Sequence, residues 1–422
     1  MNGLAEIRHH LETAYTAPIR DPLWGHIYLS PAMLQLVNTP EFQQLSRIKQ
    51  LGPTYLVYPG ATHTRLNHSL GVFHLARRIL SRIVYHPEAP SLTLEGAKSY
   101  LAAALLHDVG HFPYTHSFKS LPLADHEHLT GRMVQTGQLK RYLRSGLQVD
   151  PGYVAAIVDE TLDAGGNDEI RLYRHLLSGS LDPDKLDYLN RDAYFCGVPY
   201  GFQDIDFAIS RIRPDGYDGI GLDETGVSAV ENILFSKFLM YRAVYWHRTV
   251  RVATAMIKKA VHMGLDQDVI RPEDLYGLDD ELFLARFGEH PFPPFELIWQ
   301  VGQRHLLKPA ATIPFDATDP RHHGISDIAV RRTLEAVIAG ELGLAEHRVI
   351  VDIPDPVSFE AHFPIFDDEG RHEFSEKSVF SPDVVRKFGA SLRKIRLMVA
   401  RDVVGESFDG QALLVGALDG VG

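Results

Sequence analysis

Cysteine is nearly missing from this chain: Cys196 is the single one in 422 residues. That excludes an internal disulfide framework and suits a reducing compartment, so a cytoplasmic protein is expected. Cys196 itself reads as a buried structural thiol. Long apolar runs are missing too. The strongest, around Tyr100–Leu106, is far shorter than the roughly 20 residues a membrane-spanning helix needs. The opening MNGLAEIRHHLETAY lacks the apolar stretch of a signal peptide, so no membrane association is expected. Positive charge is in deficit, with 42 Lys and Arg against 54 Asp and Glu and a formal charge of −12. A general nucleic-acid-coating role is therefore not favoured, whereas a phosphorylated substrate held by a few local cations in a cleft remains compatible. Neither a Walker A nor a dinucleotide-type glycine motif occurs, no G-x-S-x-G elbow is present, and Cys196 has no activating neighbours. Internal repeats, low-complexity blocks and long linkers are absent as well.

Helical patterns dominate what is there. Thr39-Pro40-Glu41 combines an N-cap, an N1 proline and an acidic first turn, and predicts a helix through about Gln50. Leu66, Leu70, Phe73, Leu80 and Val84 recur at helical spacing. Tyr100–His107 is almost wholly apolar, the mark of a helix buried in a domain centre, and Gly110 and Pro113 stop it. Residues 226–265 and 329–342 also read as helical. Toward the end, Arg348–Ile353 and Ile395–Val399 read as strands, with a helix opening at Ser381-Pro382-Asp383 between them. The Gly- and Asp-rich stretch Gly405–Gly422 reads as a loose tail. The expected class is mainly α, with a helical catalytic domain over 1–300 and a small α+β C-terminal part over 301–422.

Chemistry concentrates around His107-Asp108. A carboxylate at the end of an apolar helix is costly unless it is paired or ligating a metal. The competing reading is an Asp bonded to backbone beside a core histidine. His111 and His116 follow across Gly110 and Pro113, His126 and His128 come next, and His68 lies on the preceding predicted helix. In SLDPDKLDYLNRD, Asp182 and Pro183 serve as N-cap and N1 of another helix. Asp184, Tyr188 and Asp192 then share one polar face, opposite Leu186, Leu189, Ala193 and Cys196. That face lies in solvent or lines a cleft. Imidazoles with carboxylates make a mixed N/O set suited to Fe, Mn, Zn or Co, and neighbouring histidines suit phosphate binding and proton transfer near neutral pH.

The ordered set His68, His107-Asp108 and Asp184 resembles the H…HD…D signature of the HD phosphohydrolase superfamily. The stretch from DPLWGHIYLS through THTRLNHSLGVFHLA is similar to the deoxynucleoside triphosphate triphosphohydrolase branch. So are LLHDVGHFPYTHSF, DHEH, LDPDKLDYLNRD and YRAVYWHRTV, and the likeness covers most of 18–265. It implies an HD-domain helical core with His68, His107, Asp108 and Asp184 as metal ligands. It also implies His111, His116 and His126 as phosphate-holding and catalytic groups, with His116 the proton donor. Arg65 and Lys185 would bind phosphate, Gln50 and Asp192 the sugar 3′-hydroxyl, and Leu51, Tyr188 and Tyr245 would shape the sugar pocket. The implied reaction is attack of water on the α-phosphorus, giving deoxynucleoside and tripolyphosphate, with Mg or Mn accompanying the substrate. A homo-oligomer is implied too.

Departures from the branch are specific. Asn38, Gln43 and Ser46, with Ala17-Pro18, stand where residues binding an activating guanine nucleotide are expected, which argues against activation of that kind. Lys237 replaces a substrate-binding arginine and Trp246 a glutamine, leaving base preference open. Two alternatives follow: the same chemistry on another nucleotide, a signalling nucleotide or a nucleic-acid end, or a nucleotide-responsive binding module with little turnover.

Overall fold

A computed structural model describes residues 3–359, 361–405 and 408–421. The fold is mainly α with a few small sheets, as the residue patterns predict. At its centre lies the helix Leu94–Leu106, whose residues 99–106 are all buried. Thr93 caps it by accepting from the Gly96 N–H at 3.0 Å. The helices Arg65–Val84 and Pro151–Val158 pack against it, and Pro183–Cys196 packs on Arg65–Val84. The last of these is opened by Asp182, whose side chain accepts from the Lys185 N–H at 2.6 Å. Leu186, Leu189 and Ala193 are fully buried on its apolar face.

A second core of Phe112, Phe118, Met256, Phe283, Phe287 and Phe295 forms around the helix Arg248–Asp266. A third lies under a three-stranded antiparallel sheet in the order Lys308–Pro314, Lys394–Val399, Val349–Asp352. The expected strands near 348–353 and 395–399 and the helix Pro382–Leu392 are present. Among the described residues no helix is long and apolar enough to cross a membrane.

Three expectations are corrected. The helix opened by Thr39 ends at Gln44 and gives way to a tight turn, Leu45–Arg47. There the backbone finds better partners in a short extended pairing, with Gln50 N on His63 O and Arg65 N on Ile48 O. The pattern over 226–265 is two helices, Val227–Met240 and Arg248–Asp266, separated by a wide turn in which Trp246 N bonds to Tyr241 O. Finally, the tail expected to be loose carries the helix Gly410–Val421. Leu414 and Leu418, four apart, bury one face of it against the C-terminal core. Composition concealed that stripe.

Candidate metal centre

Two turns of chain decide the geometry. The first is Val109-Gly110, where the helix Leu94–Leu106 has just ended. A β-carbon on Gly110 would lie 2.3 Å from His126 O and 2.6 Å from Thr130 N, so only glycine lets this turn press on the helix His126–Met133. Gly110 N is bonded to Thr130 Oγ1 at 2.9 Å. His111 and His126 are thereby held with ring centroids 3.8 Å apart, and His116 joins them at 4.9 and 5.1 Å. The second is the start of the helix Pro183–Cys196, which points Asp184 toward His68.

Donor atoms of His68, His107 and Asp184 lie within 4.8 Å of one another. His68 Nε2 is 2.8 Å from Asp184 Oδ1. Asp108 reaches this group from its side: Oδ1 is 3.3 Å from His107 Nε2 and 3.1 Å from His111 Nδ1, and Oδ2 accepts from Arg65 Nη1 at 2.7 Å. Asp108 thus links the triad to the three-histidine cluster.

These residues fit a divalent ion. His107 Nδ1 faces Ala104 O at 3.0 Å, while its Nε2 is buried without a hydrogen-bond partner among the described residues. An orphaned imidazole nitrogen beside two carboxylates is what a ligand to a cation looks like. Burial alone would lower the His68 pKa, but hydrogen bonds to Asp184 and Asp187 outweigh it and raise it to about 10. Asp184 moves the other way, to about 2, because the bond to His68 outweighs burial. These opposed shifts describe a proton held between His68 Nε2 and Asp184 Oδ1.

The four aspartates of this segment are distinguished by their partners. Asp182 caps its helix and is paired with Lys185. Asp187 is saturated by four donors from His68, Trp24 and Arg191. Asp192 meets His63 Nε2 at 2.8 Å and accepts from the Tyr245 hydroxyl at 2.7 Å. Asp184 is the one of the four that faces the His68–His107 pair, its side chain 39% exposed.

A cavity of about 630 Å³ opens over this centre. Gln50, Leu51, Arg65, His68, His107, Asp108, His116, His126, Asp184, Lys185, Tyr188, Asp192 and Tyr245 all line it. The polar face of Pro183–Cys196 thus lines a cleft. Gln50 Oε1 is buried there without a partner among the described residues. His111 sits behind the wall, 1% exposed, with Nε2 3.1 Å from His116 Nε2. Burial and Arg65 hold the pKa of both histidines well below the usual imidazole range. His128 turns away to Asp159. Lys185 lines the cavity, though its ammonium is already engaged by Asp182 and by Gly179 O. Lys237 is absent from the lining: its ammonium donates to Ser358 O at 2.7 Å and lies over the Phe359 ring.

Sequence reasoning missed several groups in the cleft or behind its wall. His63, 3% exposed, supports Asp192 and stacks on Phe195. Arg251, paired with Asp352, and Lys258 also line the cavity. His63 stands five residues before His68 and could have been found; Asp352 and Lys258 gave no local signal.

Comparison with known proteins adds two family models. One described as HD domain matches residues 65–163, and one described as HD associated region matches 213–380. An uncharacterized protein of Bacillus subtilis is 37% identical over 245 residues, 58% of this chain and 54% of that protein. The match thus spans about half the length of that relative. An uncharacterized protein of Methanocaldococcus jannaschii is 31% identical over 369 residues, 85% of this chain and 74% of its own. A deoxynucleoside triphosphate triphosphohydrolase of Danio rerio is 28% identical over 271 residues, 57% and 44% of the two chains. Among solved structures, a hypothetical protein from Aquifex aeolicus superposes with TM-score 0.70 at 26% identity, covering 96% of this chain and 99% of that one.

Proposed function

Because the chain belongs to the HD-domain phosphohydrolase family, carrying an HD domain followed by the HD-associated region, we propose that it hydrolyses deoxynucleoside triphosphates to deoxynucleoside and tripolyphosphate. The observation that carries this reading is the convergence of His68, His107 and Asp184, with Asp108 beside them, at the floor of a cavity of nucleotide size. His68, His107, Asp108 and Asp184 would hold a divalent ion. When bound, such an ion neutralises phosphoryl charge and acidifies water.

The rest follows from the chain's own groups. Arg65, fixed by Asp108, presents positive charge to the phosphates, and His126 lines the cavity beside it as an imidazole hydrogen-bonding group. His116 stands in the cavity against His111 and would deliver a proton to the leaving oxygen once the triphosphate's negative charge offsets the burial and the Arg65 charge that hold its pKa down. Asp192, oriented by His63 and Tyr245, and the free Oε1 of Gln50 offer acceptors to a sugar hydroxyl. Tyr245 and Tyr188, ring centroids 6.4 Å apart, narrow the pocket where a ribose 2′-hydroxyl would project. The relative of Danio rerio bearing the triphosphohydrolase name supports this substrate class.

Incubation of the protein with each dNTP, singly and mixed, in Mn²⁺ or Mg²⁺ should release tripolyphosphate, read by phosphorus NMR. His107→Ala should lose both turnover and bound metal. No turnover of any dNTP by metal-replete protein would refute the substrate assignment. A second reading, hydrolysis of another nucleotide or of a nucleic-acid end, draws on Trp246, Arg251 and Lys258, which also line the cavity. Faster turnover of NMPs, oligonucleotides or a pyrophosphorylated guanosine nucleotide would favour it.

A further inference from the structure

Behind the candidate metal centre lies a largely buried polar network that the proposed reaction does not touch. Its hub is Asp187, 0% exposed. Oδ2 accepts from His68 Nδ1 at 2.8 Å and from Arg191 Nε at 2.7 Å. Oδ1 accepts from Trp24 Nε1 at 2.6 Å and from Arg191 Nη2 at 2.8 Å. A carboxylate offers about four acceptor sites, and all four are filled. Asp187 therefore cannot ligate an ion itself, and each of its neighbours must point a proton at it.

The network continues outward. Arg191 Nη1 donates to Asp21 Oδ2 at 2.9 Å, and Asp21 Oδ1 accepts from the Leu23 and Trp24 N–H groups at 2.9 Å each. Asp21 and Trp24 belong to the turn of a hairpin, Ala17–Asp21 with Gly25–Leu29. This is the DPLWG segment, whose role the catalytic reading leaves unassigned. On the opposite side, Gly71, one turn after His68, makes room for the hub: a β-carbon there would lie 1.9 Å from Asp187 Oδ1.

We propose that Asp187, clamped by Arg191 and by the Asp21–Trp24 turn, is a positioning residue that fixes His68 with its proton on Nδ1, so that Nε2 is presented to a metal ion. The inference rests on His68 being a metal ligand. With a metal ion on Nε2 the His68 ring would be neutral, and because Asp187 is an acceptor at every lone pair, the ring's one proton would sit on Nδ1. A carboxylate behind a ligating histidine both orients the ring and raises its basicity.

Asp187→Asn is the direct perturbation. Its amide N–H₂ would meet either His68 Nδ1 or an Arg191 donor, and the first arrangement drives the His68 proton to Nε2. Cobalt(II) binding to the metal-free protein, followed by its visible absorption and by chelator competition, should weaken about 10- to 100-fold in Asp187→Asn, with altered ligand-field bands. Trp24→Phe, which removes one donor of four and leaves the acceptor intact, should weaken binding by less. Histidine-selective ¹⁵N NMR of the wild-type zinc form should show the His68 ring protonated at Nδ1, a readout that requires no variant to fold.

A folded Asp187→Asn protein with wild-type cobalt affinity and spectrum overturns the inference, as does a zinc form with His68 protonated at Nε2. Wild-type protein that binds no metal overturns both this inference and the proposed function. Tight wild-type binding with unchanged Asp187→Asn binding sinks only the inference.

Discussion

Gly71→Ala sets two opposed effects against each other at one carbon atom. Gly71 lies inside the helix Arg65–Val84, where replacing glycine by alanine ordinarily stabilises by about 1 kcal/mol. Here the added β-carbon would stand 1.9 Å from Asp187 Oδ1 and 2.5 Å from both Asp187 Cγ and Arg191 Nη2. That is roughly 1.5 Å short of van der Waals contact. The neighbours are not flexible ends in solvent. Asp187 and Arg191 are 0% exposed and bonded on every side, so yielding means breaking hydrogen bonds. Disrupting a buried ion pair costs about 3–5 kcal/mol, which outweighs the helix-propensity gain and leaves a net loss of about 2–4 kcal/mol. Urea unfolding of wild type and Gly71→Ala, both in excess chelator, isolates this cost from metal binding. A variant as stable as wild type or more so would show that the network yields freely, and the packing argument would fail.

Other consequences are quicker to state. Burial, with Arg78 and Arg77 nearby, lowers the His74 pKa from 6.5 to about 4. The unfolded chain then binds the extra proton between those values, so stability is lost as pH falls from 6.5 toward 4. His74→Gln should flatten that part of the stability–pH curve, and unchanged curves would contradict it. Lys237→Ala should leave kcat and KM within about threefold of wild type, because Ser358 O, not the cavity, holds its ammonium. A large rise in KM would return Lys237 to the substrate site.

What could be read from the residues alone divides along physical lines. The helix Arg65–Val84 was legible because apolar spacing over three or more turns is a strong periodic signal, and the buried Leu94–Leu106 because its second half is almost wholly apolar. The strands Ile212–Pro214, Ile220–Asp223, Pro364–Asp367 and Gly370–Glu373 have three or four residues each, too few for alternation to emerge. The strand Lys308–Pro314 contains two prolines, tolerated because it lies at a sheet edge. The tail helix was hidden by its glycines, although Leu414 and Leu418 stood four apart.

The candidate site shows the same division more sharply, in the choice among Asp182, Asp184, Asp187 and Asp192. Helical spacing groups Asp184 with Asp192 and sets Asp187 beside Arg191, yet it assigns none of them a role. What separates them arrives from elsewhere in the chain. Trp24 reaches Asp187 across 163 residues, Asp21 meets Arg191 across 170, and His63 meets Asp192 across 129. Trp24 and His63 each fill a lone pair of one carboxylate, Asp21 holds Arg191 against Asp187, and Asp182 is consumed locally as a cap. Asp184 is left with an oxygen free to face the cleft beside the orphaned His107 Nε2. Asp184 is singled out here by the partners its neighbours take, and those partners are a property of tertiary hydrogen bonding, which no local pattern encodes.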